Sequence, residues 1–295
     1  MRNRKLGRKR WIIPPMIIFL MVTLAVIVIT ALLAPVIAPI DLGASDLTQR
    51  LKMPKFKDPT SPYLFGTDNL GRDVAIRLLY ATRSTIMISF TGMIIATVTG
   101  TALGILSGLG GKWIDAVLSF FTDVRLSIPT TFIGIIFACI LGAKPVTTIL
   151  VMAITGWSSK TAAARVALEC AKKSNGTPFS KNAKFIEASR SMGASGVKIV
   201  FEHILVNIAS PLIVQTTMEL GGFILLESTL SFLGLGIEPP GTSLGVMVSL
   251  GRDYMLTHWW LAVLPSIIIV VLILDISLIG DWLRDRLDPK LKNAS

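Results

Sequence analysis

The sequence contains little charge and little cysteine for its length. Only 16% of its 295 residues are charged and two are cysteines, whereas 52% are hydrophobic and the mean hydropathy is +0.67. A soluble protein of this length normally carries more charge, so the composition excludes an ordinary soluble fold. Two cysteines are too few for a disulfide framework or a cysteine-based metal site, and we expect Cys139 and Cys170 to be packing residues.

Common signatures of chemistry are missing as well. The sequence has no G-x-x-x-x-G-K-[ST] phosphate loop, no H-E-x-x-H zinc motif and only two histidines. We therefore expect no catalytic residue, no metal site and no cofactor bound by this chain. A membrane-embedded enzyme stays an alternative because acidic residues occur within the apolar segments, and an ion-coupled carrier working alone is a further one.

The sequence is strongly basic, with a formal net charge of +11. Such a charge is typical of nucleic-acid binding, or of membrane topology, because Lys and Arg concentrate in cytoplasmic loops. With a cytoplasmic N-terminus, the predicted inner segments hold 19 Lys and Arg and the predicted outer segments hold nine. This asymmetry predicts that both termini are cytoplasmic and that the partner is a lipid bilayer, with no nucleic acid.

Six apolar segments are long enough to cross a bilayer, which takes about 20 helical residues. They predict an all-α integral membrane protein with six transmembrane helices, at residues 11–34, 84–109, 116–141, 146–165, 210–233 and 259–281. The predicted organisation is a basic N-terminus with the first span (1–40), an external loop (41–83), a five-helix core (84–281) with a cytoplasmic polar segment (166–208), and a cytoplasmic tail (282–295).

The second predicted span carries a small residue at every fourth position. On a helix these positions form one shallow stripe along which another backbone can approach closely. The stripe predicts tight helix packing, either within the chain or against another subunit. Its members are Gly92, Ala96, Gly100, Gly104 and Gly108.

Several polar side chains lie at membrane depth, where an unpaired charge costs several kcal/mol. Gln215 and Glu219 are one helical turn apart and share a face, and Glu227 lies further along the same span. They are candidates for lining a hydrated translocation path, and the alternative is pairing between helices. Arg125 and Asp275 are candidates for the same two roles, path lining or pairing between helices. For Arg125, contact with the lipid headgroups is a third alternative.

Four stretches resemble a known family of transport proteins. The stretch EASRSMGAS…FEHILVN resembles the EAA loop of ABC importer permeases. The other three resemble the C-type permease of oligopeptide, dipeptide and nickel importers. These are FGTDNLGRDVAIRLLYATR (65–83), ESTLSFLGLGIEPPGTSLG (227–245) and GDWLRDRLDPKL (280–291).

The resemblance implies the type I ABC importer permease fold and a place in the inner or plasma membrane of a prokaryotic cell. It implies a homologous B-type permease as partner, two ATPase subunits that bind ATP and Mg²⁺, and an extracellular substrate-binding protein. The chain would form half of a pathway for oligopeptides or dipeptides. The alternative is nickel or another small solute on the same fold.

The EAA loop of that family contacts an ATPase subunit, so the resemblance assigns this coupling role to one short segment. Ser189 stands where the family has Ala, Val206 where it has Pro, and the stretch 170–181 is longer than in family members. The residues that would make the contact are Glu187, Ala188, Ser189, Arg190 and Gly193.

The 65–83 stretch contains charges of alternating sign between two glycines, just before the second span. We expect them to tie a tight turn through charge-assisted hydrogen bonds, and the alternative is docking of the substrate-binding protein. The residues are Gly66, Asp68, Gly71, Arg72 and Asp73.

Overall fold

The computed structural model describes residues 13–39, 41, 43–173, 198, 200 and 204–287. Regular structure in this part of the chain is helical, apart from the isolated bridge between Thr67 and Asp73. A 3-10 turn forms at Leu47–Gln49. The α-helices are α1 (Pro15–Leu32), α2 (Ala34–Ile37), α3 (Val74–Leu109), α4 (Lys112–Ser127), α5 (Thr130–Leu141), α6 (Pro145–Lys173), α7 (Leu205–Phe232), α8 (Leu244–Arg252) and α9 (Trp260–Leu287).

The helices define a membrane protein, as the composition predicts. Within the described residues, α1, α3, α7 and α9 are long and apolar enough to cross a bilayer, and α4 and α5 qualify together as one bent span. Four or five of the six predicted spans therefore meet this criterion. The predicted fourth span is the 29-residue helix α6, which falls short of the required apolarity because it is rich in Ala, Thr and Ser and contains Lys160.

The predicted third span is not one straight helix. It divides into α4 and α5, whose axes are bent by 87° at residues 128 and 129. Pro129 has no backbone N–H, and a proline disfavours the helical conformation of the residue before it. Ile128 accordingly adopts extended angles, with φ −103° and ψ 122°. Hydropathy alone did not reveal this break.

Helix α3 begins ten residues before the predicted start of the second span. The Asp73 carboxylate caps it by accepting a hydrogen bond from the Ala75 N–H at 2.7 Å. Hydropathy predicts a start at residue 84 because Arg77 and Arg83 make the first turns of α3 less apolar than the rest of the helix. The predicted loop 41–83 is therefore partly helical, and the predicted loop 234–258 contains α8.

The small-residue stripe of α3 packs within the chain, against α6. A Cβ atom at Gly100 would lie 2.5 Å from the backbone oxygen of Trp157, and the Thr161 hydroxyl donates to the Gly100 carbonyl at 3.0 Å. The residue numbers of facing positions rise together with a constant offset of sixty, so the two helices are parallel. The facing positions are 92 and 152, 96 and 156, 100 and 160, and 104 and 164.

Helix α7 runs in the opposite direction to α3 and α6. Its Glu219 pairs with Lys160 of α6, and its Phe223, four residues later, faces Gly156, four residues earlier. Helix α9 is antiparallel to α7, because Gly221 faces Ile273 and Gly280 faces Thr217. The bundle therefore has a Val74 end, where α3, α6 and α9 begin and α7 finishes, and an opposite Leu109 end.

Among the described residues, three clusters of buried side chains hold the helices together, and the smallest lies around Ala164 and Ile208. The first lies at the Val74 end, around fully buried Val74, Leu244 and Trp260. The second lies between α3, α6 and α7, around Val151 and Met152. Helix α1 is attached more lightly, with the Thr23 hydroxyl donating to Asp275 of α9 at 2.7 Å.

Replacing Gly100 by Leu tests the close contact between α3 and α6. We expect the free energy of unfolding to fall by about 3 kcal/mol or more, because the new side chain meets the α6 backbone. The measurement is the thermal unfolding midpoint of the purified protein in detergent. Gly222→Leu is the matched control, since no atom lies within 4 Å of a Cβ placed there. Equal midpoints for the two variants would contradict the packing.

Candidate functional site

The predicted site residues fall into three regions of the chain. The external motif (Gly66 to Asp73) lies at the Val74 end, and Gln215, Glu219 and Glu227 lie along α7. The five predicted coupling residues, Glu187, Ala188, Ser189, Arg190 and Gly193, lie outside the described residues.

Asp68 is the centre of the external motif. Its carboxylate accepts hydrogen bonds from the Leu70 and Arg72 backbone N–H groups at 2.8 and 2.9 Å, and from the Arg72 Nε at 2.8 Å. Arg77, in the first turn of α3, donates to the same carboxylate through Nη1. The predicted turn tied by charge-assisted hydrogen bonds is therefore present, with Arg77 as an additional member.

The two glycines of the motif permit this turn. Gly66 and Gly71 have φ values of +74° and +76°, in the left-handed region that favours glycine. Burial alone would raise the pKa of Asp68, but the Arg72 N–H hydrogen bond, the charge of Arg77 and the Leu70 N–H hold its pKa below its usual value. Asp68 is therefore ionised at neutral pH, and the buried Arg77 guanidinium has a fixed counter-charge.

Arg77 also joins the external motif to the 227–245 stretch. Its Nη2 donates to the Thr242 hydroxyl at 3.2 Å. The next residue, Ser243, caps α8 by accepting from the Val246 N–H at 3.4 Å. The sequence GTSLG at 241–245 also matches the G-x-S-x-G pattern of serine hydrolases, but Ser243 is fully buried and serves as this helix cap.

Glu227 lies in the same region and is fully buried. Its carboxylate accepts from the Ser231 hydroxyl at 2.7 Å and from the Ser228 hydroxyl at 3.5 Å, and the Thr85 and Ser243 hydroxyls lie on its other sides. Thr85 in turn accepts from the Leu244 N–H at 3.2 Å. These hydroxyls enclose Glu227 between α3, α7 and α8, which favours the interhelical role over exposure to a translocation path.

The two most specific sequence stretches therefore meet in one polar cluster, which we call the motif junction. It connects the loop before α3 with α3, α7 and α8 at the Val74 end. The hydrogen bonds named above tie the loop to these helices and so have the geometry of a structural brace. Its members are Asp68, Arg72, Arg77, Thr85, Glu227, Thr242 and Ser243.

A second polar cluster lies between α6 and α7. The Lys160 ammonium pairs with Glu219 Oε2, and Gln215 Nε2 donates to Glu219 Oε1 at 2.8 Å. The shared face of Gln215 and Glu219 is thus confirmed. Lys160 lies within the predicted fourth span, the helix continues past it, and its side chain is fully buried. The Glu219 side chain remains 21% exposed.

Sequence reasoning missed Lys160, Arg77 and Thr242. Lys160 lies within the predicted fourth span, but nothing in the sequence pairs it with Glu219, 59 residues later. The short separation of Arg77 from Asp68 indicates that they can pair, because a side chain in the first turn of a helix can reach the loop that precedes the helix. Nothing in the sequence pairs Thr242 with Arg77, 165 residues earlier.

The fold matches solved structures of ABC importers. The chain superposes on a chain from an inward-facing structure of the MetNI methionine ABC transporter with a TM-score of 0.52 and 18% identity, covering 72% of this chain and 96% of that one. A chain from a crystal structure of an amino acid ABC transporter with histidines superposes with a TM-score of 0.51 and 14% identity. The match covers 68% of this chain and 90% of that one. The chain thus shares the helical fold of these transporter chains.

The sequence identifies the family. Residues 100–293 match the model of the binding-protein-dependent transport system inner membrane component. The dipeptide transport system permease protein DppC of Haemophilus influenzae is 34% identical, over 92% of this chain and 90% of the relative. The di/tripeptide transport system permease protein DppC of Pseudomonas aeruginosa is also 34% identical, over 91% of this chain and 86% of the relative. The chain belongs to this family of permease subunits, which are not enzymes.

Asp68→Asn tests the motif junction. Removing the carboxylate charge leaves the buried Arg77 unpaired, which typically destabilises a protein by about 3–5 kcal/mol. We expect a clearly lower thermal unfolding midpoint for the purified protein. The matched control is Asp58→Asn, because Asp58 is partly exposed and its carboxylate accepts hydrogen bonds from Thr60 in its own loop, so little change is expected. The same midpoint in both variants would show that the junction does not brace the fold.

Proposed function

We propose that this chain is the transmembrane permease subunit of an ATP-driven importer and forms half of a pathway for peptides. The observation that carries the proposal is the similarity, over nine-tenths of the chain, to permease proteins whose names specify dipeptide or di/tripeptide transport. The ABC importer fold supports the same function. Import of nickel or another small solute on the same fold is the second candidate, and it has only the initial motif resemblance in its favour.

The proposal includes six spans, with both termini in the cytoplasm of a prokaryotic cell and the chain in its inner or plasma membrane. Two observations support it. Parallel α3 and α6 require the intervening chain to return across the bundle, which makes α4 and α5 one span and α6 another. The excess of Lys and Arg in the predicted inner segments supports this orientation. The Val74 end would then be external.

The proposed partners are a homologous B-type permease, two ATPase subunits and an extracellular substrate-binding protein. ATP and Mg²⁺ would be bound by the ATPase subunits. Helix α6 ends and α7 begins at the Leu109 end of the bundle, which would be the cytoplasmic end. The segment that joins them carries the proposed coupling residues, so ATPase closure would act on α6 and α7 directly.

The external motif would serve this permease as a brace. Asp68 and Arg77 hold the loop onto α3, and Thr242 continues the link to the loop before α8. Docking of the substrate-binding protein remains the alternative role for this surface. Glu219 and Gln215 are the proposed path residues, because both keep partial exposure.

Uptake by the reconstituted complex tests the peptide assignment. The complex of both permeases and both ATPase subunits, in phosphatidylcholine vesicles with its binding protein, should accumulate labelled dialanine only when ATP is present. Excess unlabelled dialanine should compete with the label, whereas NiCl₂ should not. Uptake of ⁶³Ni²⁺ in place of dialanine would support the second candidate and contradict the peptide assignment.

The double substitution Glu187→Arg and Ala188→Trp tests the coupling segment. Reversed charge and added bulk should prevent an ATPase subunit from seating there, so peptide-stimulated ATP hydrolysis should fall at least tenfold. Copurification of the ATPase subunits measures the contact itself. The matched control is Glu238→Arg, a charge reversal at an exposed residue near the Val74 end. This variant should retain both peptide-stimulated ATP hydrolysis and copurification of the ATPase subunits. Equal effects of the two changes would exclude the assigned segment.

A further inference from the structure

Arg125 lies at the break between α4 and α5, within electrostatic range of Lys160 in the α6–α7 polar cluster. Helix α4 is fastened to α6 by Arg165, which bonds Asp115 at 2.8 Å and the Ser119 hydroxyl at 2.6 Å. Arg125 follows Asp115 along α4, and Lys160 precedes Arg165 along α6. The two side chains are near enough for their positive charges to repel each other.

The hydrogen-bonding capacity of Arg125 is largely unused. Its Nη2 donates to the Thr130 hydroxyl across the break at 2.9 Å. Its Nε is buried and has no acceptor among the described residues. Within the same part of the chain, no carboxylate lies within 4 Å of the guanidinium. A buried N–H without an acceptor is rare in folded proteins and calls for a ligand or a structural reason.

The charges of the cluster do not cancel. Lys160 and Glu219 neutralise each other, and Gln215 uses the second oxygen of Glu219. Arg125 is left as one excess positive charge beside an apolar helix surface. Such a charge is unfavourable at membrane depth unless an anion or water compensates it. An oxyanion is the complementary group, because a guanidinium presents a planar fork of donors that matches a carboxylate.

We propose that Arg125 binds the terminal carboxylate of the peptide as it crosses the membrane, with Lys160–Glu219 as the fixed, neutral side of the site. The proposal rests on the proposed peptide function. Every unmodified peptide carries this carboxylate whatever its side chains, so a site of this kind accepts peptides of different sequence. The break at Pro129 contributes by leaving the guanidinium at the end of a helix instead of within a continuous span.

A lipid phosphate is an oxyanion too, and it is the other source of the same chemistry. The two sources predict different effects of amidating the peptide. A carboxylate site should distinguish a peptide acid from its amide, whereas a lipid site should affect both peptides equally.

The test uses the complete complex in phosphatidylcholine vesicles, supplied with saturating binding protein loaded with dialanine. Arg125→Gln should lower the maximal uptake rate about tenfold, the typical effect of losing one charge-assisted hydrogen bond. Arg125→Lys should recover most of the rate. The concentration of loaded binding protein at half-maximal rate should stay the same, because docking occurs elsewhere. Asp123→Asn, a charge removal at an exposed residue on the same helix, is the matched control and should transport normally.

Two further measurements separate recognition from bracing. Thr130→Val removes the hydrogen bond across the break and should reduce uptake far less than Arg125→Gln. Dialaninamide uptake should be the same in the parent protein and in Arg125→Gln. A normal rate in Arg125→Gln, an equal loss in Thr130→Val, or an equal loss for acid and amide (the lipid outcome) would each overturn the proposal. A parent complex that takes up no peptide would instead overturn the proposed function.

Discussion

The contact between the backbones of α3 and α6 is the constraint on which the rest of the structure depends. Glycines at 92, 100 and 104 let α6 approach at a constant offset of sixty residues, so the two helices must be parallel. Parallel neighbours cannot be joined by a short turn, and the chain between them has to return across the bundle. The broken pair α4–α5 makes that return, and α7 then packs antiparallel against both helices.

Charged residues in this bundle lie between helices, where partners are available. Asp68 and Arg77 fix the external loop to the start of α3, and Lys160 and Glu219 join α6 to α7. Glu227 has no cation among its named contacts and is enclosed by hydroxyl groups instead. Each arrangement satisfies a polar group that would be costly in hydrocarbon. The pairing of Arg125 is incomplete among the described residues, and Arg125 is the residue that we propose for substrate contact.

The two ends of the bundle have different proposed tasks. At the Val74 end, the motif junction holds α3, α7 and α8 against the external loop as one braced unit. At the Leu109 end, α6 and α7 lead into the segment with the proposed coupling residues. The α6–α7 interface therefore connects the proposed site of ATPase contact with the polar cluster at Lys160 and Glu219. Movement at one end of these helices would displace the side chains of that cluster, because close-packed interiors transmit strain.

The sequence by itself determined the membrane class, the helical fold, the family and the small-residue stripe, since these follow from hydropathy, helical period and local motifs. It also predicted the Asp68 turn, whose contacts with Leu70 and Arg72 are local. Only the tertiary structure decided which helix fills the stripe, that Lys160 is buried against Glu219, and that Arg77 reaches Thr242. The physical reason is distance along the chain. Periodicity and hydropathy report on neighbours in sequence, whereas these partners are brought together by the packing of whole helices.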